Sequence, residues 1–251
     1  MKASKSSEDL NFCFNYFHVP GNDEKSLFRK GVVESVSREL QKIAVHLDTP
    51  TIYWTDKSEM TDFLHKNPLL KFVKAQMPRD FFIGEIALCC GWFLALKHFL
   101  ETQNDLLVIF EDDLWFNTIE NSGVNRVKQI ADQLPKDTEL LFLFNPEDCF
   151  SKYGPELDIN EFVCEDFATW STAFVMLTRA GAQKILAMFQ DGIDMPIDAY
   201  LRKSSKLKCY AVKPNQQVDV WSIYDRTWLG STIDPRMGQI PQILVSDKDI
   251  L

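Results

Sequence analysis

The stretch Asp105-Leu106-Leu107-Val108-Ile109-Phe110-Glu111-Asp112-Asp113 decides the fold. Its unbroken apolar run reads as a strand buried on both faces, the pattern of a parallel sheet. Ligands of open α/β sheets bind beyond the carboxyl ends of the strands. The run therefore delivers Glu111, Asp112 and Asp113 to a ligand edge. Adjacent carboxylates repel one another unless a cation lies between them. Hard oxygen ligands suit Mg²⁺ or Mn²⁺, and an ion held by one or two carboxylates commonly shares a diphosphate. The alternative is a solvated acidic turn with no ligand.

Outward from this strand, the pattern alternates. Strands are expected over residues 11–17, 51–54 and 69–75, then at the central run, and again over 140–144, 172–177 and 209–212. Helices are expected over 26–46, with Leu27, Val32, Val36, Leu40 and Ile43 as the apolar stripe, and over 58–65, 83–103, 124–134, 180–189 and 196–201. Asp80 is the expected N-cap of the long apolar helix, and Gly192 the end of the helix over 180–189. Residues 147–165 fit no period, which marks a functional or mobile stretch. This alternation predicts an α/β fold with a mostly parallel, Rossmann-like central sheet flanked by helices. Residues 1–9 read as a disordered lead-in, 10–235 as one domain and 236–251 as a tail.

Composition narrows the class. The chain has 251 residues, 45% hydrophobic and 25% charged, which is ordinary for a globular protein with a sizeable core. A net charge of −9 does not supply the basic face of a nucleic-acid binder. None of the six cysteines has zinc-site spacing, so buried thiols in a reducing compartment are expected. The polar N-terminus lacks the apolar core of a signal peptide, and the apolar window 81–100 carries Glu85, Lys97 and His98, as a buried helix does rather than a membrane span. A cytoplasmic location follows as an expectation. There is no glycine-rich phosphate loop, so a bound diphosphate would rely on metal and basic side chains.

Four motifs in order resemble family 25 glycosyltransferases, the lipopolysaccharide and collagen galactosyltransferase type, over residues 80–235. They are Gly84-Glu85-Ile86-Ala87-Leu88-Cys89, the strand ending Glu111-Asp112-Asp113, the segment Ser171 to Ala182, and Pro196-Ile197-Asp198, with a closing segment from Trp221 to Ile233. Gly91-Trp92 stands where the family usually has Ser-His. The resemblance implies a GT-A fold and a metal-dependent, inverting transfer of galactose, xylose or a similar sugar from a UDP-sugar to a glycan hydroxyl. Mn²⁺ or Mg²⁺ would be the cofactor.

Roles follow as expectations. Asp113, Glu111 and Asp225 are candidate metal ligands, and Asp112 is a candidate for the ribose. Tyr16 could stack on the base, Asp56 accept from uracil, and Arg79, Glu85 and Arg226 contact the donor. Asp56 equally fits a turn, and Glu85 a helix start. Asp198 is the candidate general base, with Asp166 and Glu165 as alternatives and helix-terminus electrostatics as the competing reading. A sugar-phosphate nucleotidyltransferase and a non-catalytic glycan- or nucleotide-binding protein are the competing functions.

Overall fold

A computed structural model describes residues 10–22, 24–74, 76, 80–112, 114–116, 122–144, 158–165, 172–203, 206–213, 220–222 and 244–245. In chain order the elements are β1 (Phe12–Phe17), α1 (Glu24–Leu40), β2 (Ala44–His46), α2 (Lys57–Lys66), β3 (Phe81–Phe82), α3 (Ile83–Glu101), β4 (Leu106–Glu111) and β5 (Leu114–Phe116). Then follow α4 (Ser122–Asp132), β6 (Leu140–Phe142), β7 (Val163–Glu165), β8 (Phe174–Thr178), α5 (Arg179–Asp191), α6 (Ile197–Lys203), β9 (Cys209–Val212), β10 (Val220–Ser222) and β11 (Leu244–Val245).

Seven strands form one sheet in the order β2-β1-β4-β8-β6-β9-β7. Successive side chains of a strand point to opposite faces, and β4 shows the consequence. Leu106, Val108 and Phe110 join the core beneath α1 and α4, while Leu107 and Ile109 join the core beneath α3 and α5. A strand apolar on both faces is thus buried on both, as its sequence requires. The helix-flanked α/β class is borne out.

Strand direction is mixed. The block β2-β1-β4 is parallel, but β8 runs antiparallel between β4 and β6, and β7 runs antiparallel to β9. An apolar run such as Phe174 to Leu177 reads the same in either direction, so the periodicity that suggested a largely parallel sheet carries no information on this point. Other boundaries also move. α1 stops at Leu40, and Ala44–His46 pairs parallel to β1 instead of extending the helix. The buried stripe of α1 is Arg29, Val32, Val33, Val36 and Leu40, with Leu27 exposed. Residues 51–54 form no strand, and Phe72 makes only an isolated bridge to Ile193. The region after 147 yields β7 within its described part.

α3 is the hub. It is apolar all round, and its membrane-like window is 67% buried in the fold, as expected of a core helix. Its N-terminus is closed not by Asp80 but by Glu85, whose carboxylate accepts from the Phe82 N–H at 2.8 Å. At the other end the Arg179 guanidinium donates to the carbonyls of Leu100, Thr102 and Asn104 at 2.8–3.2 Å. A cation there answers both the orphan carbonyls and the negative end of the helix dipole. Gly192, at φ 118°, ends α5 in a conformation that favours glycine.

Gly181 lets α5 approach the sheet edge: a Cβ there would lie 1.9 Å from the Glu139 carbonyl oxygen. Gly181→Ala is expected to lower unfolding free energy by about 3 kcal/mol or more, since backbone cannot yield as a side chain does. Gly31→Ala, on α1 with nothing within 4 Å of the new methyl, should raise it by about 0.5–1 kcal/mol. Urea denaturation of the two variants checks both signs.

Candidate functional site: a cleft at the ends of β1 and β4

β1 and β4 are parallel neighbours, with Phe17 in register with Glu111. The chain leaves β1 through α1 to reach β2 on one side, while β4 lies on the other. Such a switch point opens a crevice beyond the carboxyl ends of the two strands. A cleft of about 770 Å³, solvent at its mouth included, is found there. Residues 16–19, spanning the end of β1, and Glu111-Asp112, spanning the end of β4, form one end. Residues 50–54 form a wall with Tyr53 and Trp54, and α3 supplies the floor through Gly84, Ala87, Leu88 and Gly91.

The floor is built of small residues. Nothing lies within 4 Å of a Cβ placed at Gly84, and a Cβ at Gly91 would meet the Phe17 ring at 3.0 Å. Gly91 thus admits Phe17 to the cleft wall, and its neighbour Trp92 is fully buried beneath.

The polar end is organised by Asp112, 4% exposed. Its Oδ1 accepts from Arg29 Nη1 at 2.6 Å; its Oδ2 accepts from the Val19 N–H at 3.1 Å and lies 2.9 Å from His18 Nδ1. Burial alone would push its carboxyl up, but the His18 hydrogen bond, the Arg29 charge and the Val19 N–H together bring it below the ordinary carboxylate value. Glu111 is half-buried, and its Oε1 accepts from Thr172 Oγ1 at 2.8 Å.

The other expected site residues divide clearly. Tyr16 lines the cleft, with its ring stacked on His46 at 5.2 Å and tilted on Phe110. Asp56 is the N-cap of α2, accepting from the Ser58 hydroxyl and the N–H groups of Ser58 and Glu59. The Ser58 hydroxyl, with those N–H groups, lowers its pKa. Glu85 is buried at the start of α3, one residue from the cleft-lining Gly84. Asp198, in the first turn of α6, is not among the cleft-lining residues; burial first, and then the charge of Glu85, raises its pKa. Asp113, Asp225, Arg79, Arg226 and Asp166 lie outside the described residues. Glu165 ends β7 and pairs with Lys208 at 3.6 Å. β10 pairs antiparallel with β5, so residues 220–222 run beside the chain that leaves the acidic motif.

Metal-ligand chemistry fits these positions only in part. Among the described residues no group of three His, Cys, Asp or Glu side chains could hold an ion. Asp112 has both oxygens engaged by Arg29, His18 and Val19, and Glu111 Oε1 accepts from Thr172.

His18, Arg29, Tyr53 and Trp54 are site residues that the sequence patterns did not single out. Arg29 had a signal: it falls three, four and seven residues before Val32, Val33 and Val36, on the apolar stripe of α1. A charge on such a stripe needs a buried partner. Tyr53 and Trp54 have the composition of a strand, and only tertiary placement puts them in the cleft wall.

Removing Arg29 would strand the Asp112 charge. Arg29→Met is expected to cost about 3 kcal/mol, the low end for breaking a buried pair, because His18 and Val19 remain. A carboxyl lowered by folding contributes stability that is full above its unfolded pKa, about 4, and is lost as pH falls through the native value. Urea midpoints of the wild type should fall across that acid window, and in Arg29→Met the fall should be smaller.

No protein-family model matches the chain, and no curated protein does. Among solved structures, A197 from STIV is similar at 11% identity over 80% of this chain and 81% of that one, TM-score 0.41. A glycosyltransferase involved in the glycosylation of the major capsid of PBCV-1 is similar at 9% identity over 71% and 64%, TM-score 0.36. Mouse xyloside xylosyltransferase 1, apo form, is similar at 11% identity over 75% and 60%, TM-score 0.31. Likeness this low does not speak to activity.

Proposed function

We propose that the chain is a glycosyltransferase that takes a nucleotide-sugar, a UDP-sugar by the family 25 resemblance, and moves the sugar to a glycan hydroxyl. One observation carries the reading: a cleft at the β1/β4 switch point with an aromatic wall at one side and an acidic strand end at the other. Tyr53, Trp54, Phe17 and Ile52 line the cleft with the apolar and aromatic side chains a base packs against. The acidic end faces the polar part of the ligand. Mn²⁺ or Mg²⁺ dependence is proposed through Asp113 with Glu111, and Asp225 after β10 as a further donor. When bound, such an ion would neutralise the departing diphosphate.

Asp198 is proposed as the general base for the acceptor hydroxyl. Its raised pKa makes it a stronger base than an exposed carboxylate, and its neighbour Glu85 adjoins the cleft floor. The engagement of Asp112 by Arg29 and His18 favours one competing reading, a nucleotide-binding protein without turnover.

Calorimetric titration with UDP, with and without Mn²⁺, tests the reading. UDP should bind the wild type, and Gly84→Trp, which fills the open floor, should lose binding while its unfolding free energy from urea denaturation stays within about 1 kcal/mol of wild type. Failure of UDP to bind the wild type, or unchanged binding in Gly84→Trp, would remove the cleft from the account. Asp113→Asn should abolish any metal dependence of that binding. In a second measurement Asp198→Asn should keep UDP affinity and lose about 10²–10⁴-fold in turnover. Full turnover would place the base elsewhere, and no turnover in the wild type with UDP bound would favour the binding-protein reading.

A further inference from the structure

The aromatic wall of the cleft belongs to no ladder, so its position is set by other contacts. β2 pairs with β1 from Phe12 to Phe14, and the Leu47 N–H donates to the Phe14 carbonyl at 2.8 Å as the last rung between them among the described residues. β1 then runs on to Phe17 with β4 as its one strand neighbour. Past that rung the chain turns away through Thr49 and Pro50 into residues 51–54. Pro50 has no N–H to give to a ladder, and residues 51–54 join no strand.

Asn15 acts where the ladder ends. It is 2% exposed, and its neighbours on the same face of β1, Cys13 and Phe17, pack into the core beneath α3. An amide at such a position is costly unless it is bonded. Asn15 Oδ1 accepts from the Tyr16 N–H at 2.7 Å, and Asn15 Nδ2 donates to Thr49 Oγ1 at 2.7 Å. One side chain thus holds both the strand edge and the chain that departs from it. Further along, Ile52 and Trp54 pack against the same core, with the Trp54 ring 5.5 Å from that of Phe63. Apolar burial of this kind is non-directional and tolerates sliding. A short hydrogen bond at the root of the segment fixes where it lies. Neither Asn15 nor Thr49 is among the cleft-lining residues.

We propose that Asn15 is a positioning residue: through Thr49 it sets the wall of Tyr53 and Trp54 at the place where the nucleotide base packs. This rests on the nucleotide-sugar reading above.

The test is UDP affinity by calorimetry, in the presence of Mn²⁺. Thr49→Val removes the acceptor and keeps the shape, and should weaken UDP binding by about five- to tenfold, the worth of one hydrogen bond. Thr49→Ser keeps the hydroxyl and should stay within about twofold of wild type. In an Asn15→Ala background Thr49→Val should cost nothing further, because the two residues act as one unit. A Thr49→Val protein that loses unfolding free energy but binds UDP as wild type does would make the pair merely structural and overturn the inference. Equal losses in Thr49→Val and Thr49→Ser would overturn it too. Fluorotryptophan ¹⁹F spectra check the wall without ligand, with the Trp54 and Trp92 resonances identified by their absence in the corresponding Phe variants. The Trp54 resonance should shift or broaden in Thr49→Val while that of Trp92 stays. An unmoved Trp54 resonance would overturn the inference while leaving nucleotide binding in place. Failure of the wild type to bind UDP would overturn the nucleotide reading and, with it, this role for Asn15.

Discussion

A carboxylate taken out of water must find its hydrogen bonds and its counter-charge within the fold. For Asp112, which follows β4, those partners come from two other pieces of chain: Arg29 on α1, and His18 and Val19 after β1. The one group therefore ties the first helix and the end of the first strand to the end of the central strand. It does so where the parallel neighbours diverge. Breaking a buried pair costs about 3–5 kcal/mol, so the bonds to Asp112 hold the turn after β1 against the end of β4.

The adjacent carboxylates thereby acquire different work. Asp112 is turned inward and neutralised by Arg29, while Glu111 stays half-buried and bonded to Thr172. The Asp112 charge is offset by a buried guanidinium. α3 completes the site from below. The absence of side chains at Gly84 and Gly91 gives space for a ligand and for the Phe17 ring. The same helix carries Glu85, which closes its own N-terminus and adds to the effect of burial in raising the Asp198 carboxyl on α6.

Hydrophobic runs made the sheet strands β1, β4, β6, β8 and β9 legible, because burial on both faces leaves an unmistakable pattern in Leu106 to Phe110 or Phe174 to Leu177. Direction was not legible, since such a run has no polarity. β2 was hidden because three residues carry too little period to be told from a fraying helix. Thr51 to Trp54 has the composition of a strand, yet it finds no ladder and becomes cleft wall. The acidic end of β4 pointed from sequence to the sheet edge where the cleft lies. The inward turn of Asp112 did not, because it depends on Arg29 and His18, 83 and 94 residues away. Arg29 was legible in principle as a charge on an apolar stripe. Asp56 followed the turn reading, as a cap residue close to the N-terminus of α2 usually does.

The central claim is that this chain activates a sugar carried on a nucleotide. The most direct measurement is UDP release from a panel of UDP-sugars, without acceptor, with and without Mn²⁺. The account predicts slow, metal-dependent hydrolysis of one sugar, with water standing in for the acceptor hydroxyl. Release from no member of the panel, under conditions where the protein is folded and the sugars are intact, would contradict it.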